Sequence, residues 1–108
     1  MQHLRAGAMV GLSLVTFASR GVAQDLGDAE KGHEFVRVAC YQCHALEKGQ
    51  HHSPNPKAPS FSRVAADPKT TAMALRVWLE TSHPTMPNLI LSEYDKANVI
   101  AYILSLKS

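Results

Sequence analysis

The 108-residue chain lacks several features that would define a common protein class. It contains only two cysteines, Cys40 and Cys43, and a bridge between residues so close in sequence closes too small a loop to stabilise a domain. It has no run of about 20 apolar residues, which argues against a transmembrane helix. The alternation of apolar and polar residues that marks strands is also missing, so the sequence predicts an all-α fold.

The amino terminus has the layout of a secretory signal peptide. Arg5 precedes an uncharged, mostly apolar stretch, and small residues follow that stretch. This order predicts cleavage before Gln24. We therefore expect residues 1–23 to be removed, residues 24–108 to form one domain in the periplasm, and the mature chain to have no membrane anchor.

Neither sign of charge is in excess in the expected mature chain. The whole sequence has 11 Lys and Arg against 9 Asp and Glu, but Arg5 and Arg20 belong to the leader. The remaining charges balance, whereas binding to nucleic acid or to an anionic membrane needs a surplus of Lys and Arg. We therefore expect neither of these partners.

The expected domain is small and contains a long irregular stretch. Residues 24–108 can bury only a modest core, and residues 45–69 include Pro54, Pro56, Pro59 and Pro68. A loop of this length in a small domain needs a surface on which to pack. With no disulfide framework present, a large apolar cofactor is the expected source of that surface.

Hydrophobic periodicity predicts four helical segments. The first covers about residues 29–40 with Asp28 as its N-cap, a short one covers residues 61–66, and a third covers residues 70–81. The last begins after Ser92 in a pattern that resembles a capping box. Its apolar residues cover more than a narrow stripe, which predicts broad burial: Ala97, Val99, Ile100, Ala101, Tyr102, Ile103, Leu104 and Leu106.

The segment Cys40-Tyr41-Gln42-Cys43-His44 is the attachment pattern of c-type haem. Two residues between the thiols allow both sulfurs to reach the two vinyl groups of one porphyrin. The histidine that follows the second cysteine is then placed beneath the iron as its proximal ligand. The motif predicts one haem c per chain, bound covalently through Cys40 and Cys43 and ligated by His44.

Two further interpretations of the motif are weaker. A Cys-x-x-Cys redox pair belongs near a βαβ pattern, and the sequence has no strand signal. A zinc site would need further ligands, for which His51 and His52 are the candidates, but a second cysteine pair is missing.

Residues beyond the motif resemble the class I cytochromes c along nearly the whole expected mature chain. The segment Gly27-Asp28-Ala29-Glu30-Lys31-Gly32 is similar to the family's N-terminal helix, and Gly32 matches a glycine that permits a close helix crossing. The segment Ile100-Ala101-Tyr102 resembles the C-terminal helix, whose aromatic residue packs there. The chain departs from the family at Val36, where an aromatic residue is usual, and Phe35 precedes it. The resemblance implies crossing terminal helices and loops wrapped around one haem.

The resemblance also implies roles for residues near the haem. The carbonyl of Pro59 would accept a hydrogen bond from His44 Nδ1, which would make the imidazole a stronger donor to iron. Trp78 and Leu79 would line the haem pocket, with the indole N–H offered to a propionate or towards the axial sulfur. A tryptophan in the protein core is the second interpretation of Trp78.

Met86 is the expected sixth ligand of the iron. It lies in an irregular segment after the third helix, where the family has its distal methionine. Met73 lies within a helix, where methionine more often serves as core packing. The spare histidines, with His83 nearest in sequence, compete with Met86 for the same position on the iron. A methionine opposite a histidine gives the higher potentials of electron-transfer cytochromes.

These residues predict a one-electron carrier rather than an enzyme. Its partners would be redox proteins that donate or accept electrons, such as a dehydrogenase subunit or a terminal oxidase, and Lys48, Lys57 and Arg63 would supply a positive rim. Two different functions also fit the sequence. One is a dedicated cytochrome subunit of a periplasmic dehydrogenase complex, and the second is a haem-based sensor or peroxidase with a displaceable sixth ligand.

Overall fold

The computed structural model of the chain describes residues 6–16, 27–87 and 89–107. Within those residues it contains four helices, α1 (Ala29–Ala39), α2 (Phe61–Ala66), α3 (Ala72–Glu80) and α4 (Glu93–Ser105). The only β pairing in this part of the chain is an isolated antiparallel bridge between His83 and Met86. The predicted all-α fold is confirmed, and α1 packs on α4.

The predicted signal peptide is only partly covered by the described residues. Residues 6–16 form neither helix nor strand and are exposed, while the cleavage point before Gln24 lies outside the described residues. Among the helices that are described, none has the length and apolar character needed to cross a membrane.

Each helix begins at a polar side chain that accepts a backbone N–H, which is the local signal that fixes where it starts. Asp28 Oδ1 accepts from Glu30 N at 2.9 Å and so opens α1. In each later helix the N-cap hydroxyl accepts a hydrogen bond from the backbone N–H three residues further along the chain. These N-caps are Ser60 for α2, Thr71 for α3 and Ser92 for α4. The observed helices start within two residues of the predicted starts.

The crossing of α1 and α4 is close because glycine stands at the contact. A Cβ at Gly32 would overlap the Asn98 carbonyl oxygen and lie 2.9 Å from the Tyr102 Cβ. The Asn98 side chain, itself buried, accepts a hydrogen bond from Asp28 N at 2.8 Å. Val36, where the family usually has an aromatic residue, is completely buried on the same side of α1. Three features thus hold α1 against α4: the close approach of their backbones at Gly32, one long-range hydrogen bond, and apolar packing.

Tyr102 connects α4 to the loop that follows the cysteine motif. Its hydroxyl donates to the Leu46 carbonyl at 2.6 Å, and its ring stacks on His33 at a centroid distance of 4.7 Å. His33 Nε2 in turn lies 2.7 Å from Glu47 Oε1. Burial, followed by the Glu47 carboxylate, raises the pKa of Tyr102. One side chain therefore joins α1, α4 and the start of the long loop.

A group of charged residues joins α3 to α4. The Lys96 ammonium lies 2.9 Å from Glu80 and 2.7 Å from Glu93, and Arg76 lies 2.8 Å from Glu93. The hydrogen bonds from Lys96 lower the pKa of both carboxyl groups. Lys96 is buried although it is charged, so the two carboxylates stabilise it in place.

We expect Gly32→Ala to destabilise the protein by about 1–3 kcal/mol, because the new methyl group meets the α4 backbone and no rotamer change can move it away. Guanidinium denaturation of the haem-containing protein measures this loss. Glu34→Ala, at an exposed position of the same helix, should stay within about 0.5 kcal/mol of wild type. Equal stability of the Gly32 variant and wild type would contradict the close crossing.

We expect Tyr102→Phe to lose about 1–3 kcal/mol, because the buried Leu46 carbonyl then has no donor. Since the folded state favours the neutral phenol, the stabilisation from Tyr102 is present below its ordinary pKa and is lost as the pH rises through the raised one. The Phe variant should therefore lose less stability between neutral and alkaline pH than wild type. Tyr94→Phe is the matched control, because Tyr94 is 61% exposed.

Candidate haem site

A cavity of about 1210 Å³ lies between α1, α3, α4 and the long loop. This exceeds the roughly 300–1,000 Å³ of common small-ligand pockets. The wall is rich in aromatic and aliphatic side chains: Phe35, Phe61, Val64, Leu75, Leu79, Val99 and Ile103. Its size and apolar lining fit a large, mostly apolar cofactor.

The cysteine motif forms one side of the cavity. Cys40 ends α1, and the chain continues as a tight turn in which Cys43 N and His44 N both donate to the Cys40 carbonyl, at 3.3 and 3.0 Å. This turn brings all three side chains to the same cavity. The arrangement is local, because the end of α1 and the two intervening residues produce it.

The two cysteines have no disulfide between them, and both are half-buried. Burial, with a smaller contribution from Cys43, raises the pKa of the Cys40 thiol to about 11. Cysteines of reactive redox pairs have instead a lowered pKa, about 3.5–7.5, because the thiolate is the nucleophile. Cys40 is therefore mostly a neutral thiol at neutral pH, so it lacks the thiolate character of an attacking cysteine.

His44 is held in one orientation at the cavity wall. Its Nδ1 lies 2.7 Å from the Pro59 carbonyl oxygen, and its ring packs against Phe61 with centroids 5.1 Å apart. A carbonyl can only accept, so this contact requires the proton on Nδ1. Nε2 is then the nitrogen with a lone pair to offer to a metal. The contact expected from the resemblance is present in the structure.

The proline-rich loop is tied to the motif by backbone and side-chain hydrogen bonds. Asn55 N donates to the Cys43 carbonyl at 3.2 Å, and Phe61 N donates to the Ala45 carbonyl at 2.9 Å. Ser53 Oγ accepts from Ala45 N at 3.0 Å. The loop thus has the packing partners that its length requires, and it carries Pro59 to His44.

Met86 lines the same cavity as the cysteine motif. This half-buried residue follows α3, and Trp78 and Leu79 line the same cavity. Trp78 is 55% exposed, so the interpretation as a core tryptophan is not supported. Met73 is 65% exposed and lies outside the cavity lining, so its interpretation as core packing is wrong. Met73 lies on the outward side of α3. Hydrophobic periodicity alone did not show whether this side of the helix is buried or exposed.

The spare histidines are arranged differently from a zinc site. His51 and His52 are exposed and line a separate open cleft next to the long loop. Among residues 6–16, 27–87 and 89–107, no group of three or more His, Cys, Asp or Glu side chains could hold a metal ion. The zinc interpretation has no support in this arrangement.

The predicted positive rim is only partly formed. Lys57 and Arg63 line the cavity, whereas Lys48 does not. Lys69, which sequence reasoning did not select, lines it as well, together with Asp67. Lys48 lies near Gly49, on the loop section that approaches Ser62 instead of the cavity mouth.

Sequence reasoning missed two residues that shape the site. Phe61, which begins the predicted short helix but was given no role at the site, supports the His44 ring. His83, expected only as a competing ligand, stacks on Trp78 with ring centroids 3.6 Å apart. The aromatic character of both residues was visible, but their contacts depend on how the loops fold back.

Comparison with known proteins gives a relative over almost the whole chain. The chain is 32% identical over 105 residues to cytochrome c-552 of Bradyrhizobium diazoefficiens, and the match covers 97% of this chain and 96% of that protein. No family model and no solved structure matches the chain. The Cys-x-x-Cys spacing at residues 40 and 43 is consistent with covalent haem, and cytochromes of this kind are electron carriers. With its crossing terminal helices, cysteine motif and apolar cavity, the chain belongs to the class I cytochromes c.

Proposed function

We propose that the mature chain is a periplasmic one-electron carrier with one haem c, attached through Cys40 and Cys43 and ligated by His44 and Met86. The observation that carries this proposal is the shared cavity, whose lining includes both the cysteine motif and Met86. The haem supplies the Fe(III)/Fe(II) couple when it is bound.

The chain's own residues prepare this site in three ways. The bond from His44 Nδ1 to Pro59 fixes the tautomer and strengthens Nε2 as a donor. The apolar side chains of the wall offer no hydrogen bonds to water and so favour an apolar group in the cavity. Met86 would offer a soft thioether, which favours the reduced state, and ligation by both His44 and Met86 would leave no position on the iron for oxygen or peroxide. The arrangement requires no catalytic acid or base.

The partners in this proposal are redox proteins that meet the cavity mouth, such as a dehydrogenase or a terminal oxidase. Lys57, Arg63 and Lys69 stand around the cavity, with Asp67 among them. Lys96 and Glu80 line the cavity as well and pair with each other, so four cations stand against two carboxylates. The excess of two positive charges would attract a partner with an acidic surface, and a small, wet contact suits brief encounters. Export through the predicted leader, residues 1–23, would place the protein in the periplasm.

We expect the oxidised protein to show the weak red charge-transfer band of methionine on ferric iron, and the reduced protein to be unresponsive to carbon monoxide. Met86→Ala should remove the band and open the iron to carbon monoxide, because no second thioether among the described residues lines the cavity. Visible spectra of both redox states, recorded before and after the gas is added, measure both effects.

Met73→Ala is the matched control for this experiment, since Met73 is exposed on α3 and should leave the spectrum unchanged. A wild-type protein that lacks the band and binds carbon monoxide rapidly would exclude Met86 as a firm ligand. The haem-based sensor or peroxidase would then be the better function.

We expect the double variant Lys57→Glu and Arg63→Glu to slow electron transfer to an acidic redox partner and to reverse its dependence on ionic strength. The reason is that the attraction between partner and cavity rim becomes repulsion, which salt screens. Stopped-flow rates at several salt concentrations measure this. Lys48→Glu changes the charge by two units away from the cavity, half the change in the double variant, and should have less than half its effect. An effect of half the size would show that only net charge matters.

A further inference from the structure

We propose that His83 is a positioning residue for Met86, because it holds the segment that follows α3, residues 81–87, against the end of that helix. This inference rests on the proposed haem ligation by Met86. It assigns His83 a role different from that of a competing iron ligand. The role follows from three contacts of this one residue, two with Trp78 and one with Met86.

The first contact is a ring stack. The imidazole of His83 lies over the indole of Trp78 with centroids 3.6 Å apart and planes 14° from parallel. Trp78 belongs to the last turns of α3, so its backbone is fixed by the helix. The stack therefore holds the His83 ring against a helical residue that lines the cavity.

The second contact is a hydrogen bond at the helix end. His83 Nε2 lies 2.9 Å from the Trp78 carbonyl oxygen and 3.2 Å from Thr81 Oγ1. The carbonyl can only accept, so Nε2 carries the proton in this contact. The Thr81 hydroxyl lies 2.9 Å from the Val77 carbonyl, to which it donates. The Trp78 carbonyl also accepts from Thr81 N at 3.4 Å, so His83 adds a second, shorter bond at the end of α3, and its Nε2 is occupied by that bond.

The third contact joins the backbone of His83 to that of Met86. The backbones of His83 and Met86 form an antiparallel bridge, with only Pro84 and Thr85 between them. Proline fixes its own φ near −65°, so the two-residue connection has little freedom. A displacement of His83 would therefore move Met86 within the cavity.

Substitutions at His83 separate its ring stack on Trp78 from its hydrogen bond to the Trp78 carbonyl. His83→Phe keeps an aromatic face for Trp78 but cannot donate to the Trp78 carbonyl, and His83→Ala loses both contacts. His52→Ala is the matched control, because His52 is exposed and lies outside the cavity lining. The readouts on the haem-containing protein are the red charge-transfer band, the rate of carbon monoxide binding to ferrous iron, and far-ultraviolet circular dichroism.

We expect carbon monoxide binding to be about tenfold faster in His83→Ala, which is the change that about 1.4 kcal/mol of lost loop stabilisation produces. The charge-transfer band should weaken, and helical content should stay at the wild-type level. His83→Phe should show a smaller change in the same direction, and His52→Ala should match wild type.

Three contrary outcomes would overturn the proposal in distinguishable ways. Wild-type rates and bands in both His83 variants would remove the positioning role and leave the ligation by Met86 intact. Loss of helical content in both variants would make His83 a general structural residue. A wild-type protein without the band, in which both His83 variants open the iron equally and Met86→Ala does not, would show that His83 is itself the ligand, and the proposed Met86 ligation would fail with it.

Discussion

The close contact between α1 and α4 is the constraint on which the rest of the structure depends. Gly32 allows the backbone of α1 to approach the Asn98 carbonyl more closely than any side chain would permit. Because α1 ends in the cysteine motif and α4 provides Val99 and Ile103 to the cavity, this crossing sets the distance between two of the cavity walls. Interiors pack too densely for such a distance to be adjusted freely.

The long loop is stabilised by the same framework rather than by its own secondary structure. Tyr102 in α4 donates to Leu46, and Phe61 N closes the far end of the loop on Ala45. These bonds hold the loop where the Pro59 carbonyl meets His44 Nδ1. A single apolar cofactor would then complete a core that the short chain does not fill with its own side chains.

The two sides of the cavity are built by different means. The motif side is local, since five consecutive residues and the end of a helix bring Cys40, Cys43 and His44 together. The methionine side is assembled from α3, its charged contacts with α4 and the bridge that follows. Lys96 connects Glu80 of α3 to Glu93 of α4, and His83 connects the loop to Trp78. The position of Met86 therefore depends on contacts between separate segments.

The sequence by itself determined what depends on neighbours along the chain. Asp28 and Ser92 fix the starts of helices because an N-cap acts within one turn, and the cysteine motif specifies its chemistry in five residues. Resemblance to a known family added the expected pairing of His44 with Pro59.

Only the tertiary structure decided the contacts between distant residues. Asn98 accepts from Asp28 across 70 residues, and Tyr102 reaches Leu46 across 56. It also decided that Met73 faces outward and that His83 stacks on Trp78, because a helical pattern gives the spacing of a face but not the partner it meets. Those contacts exist only once the helices cross, and their crossing is set by packing over the whole chain.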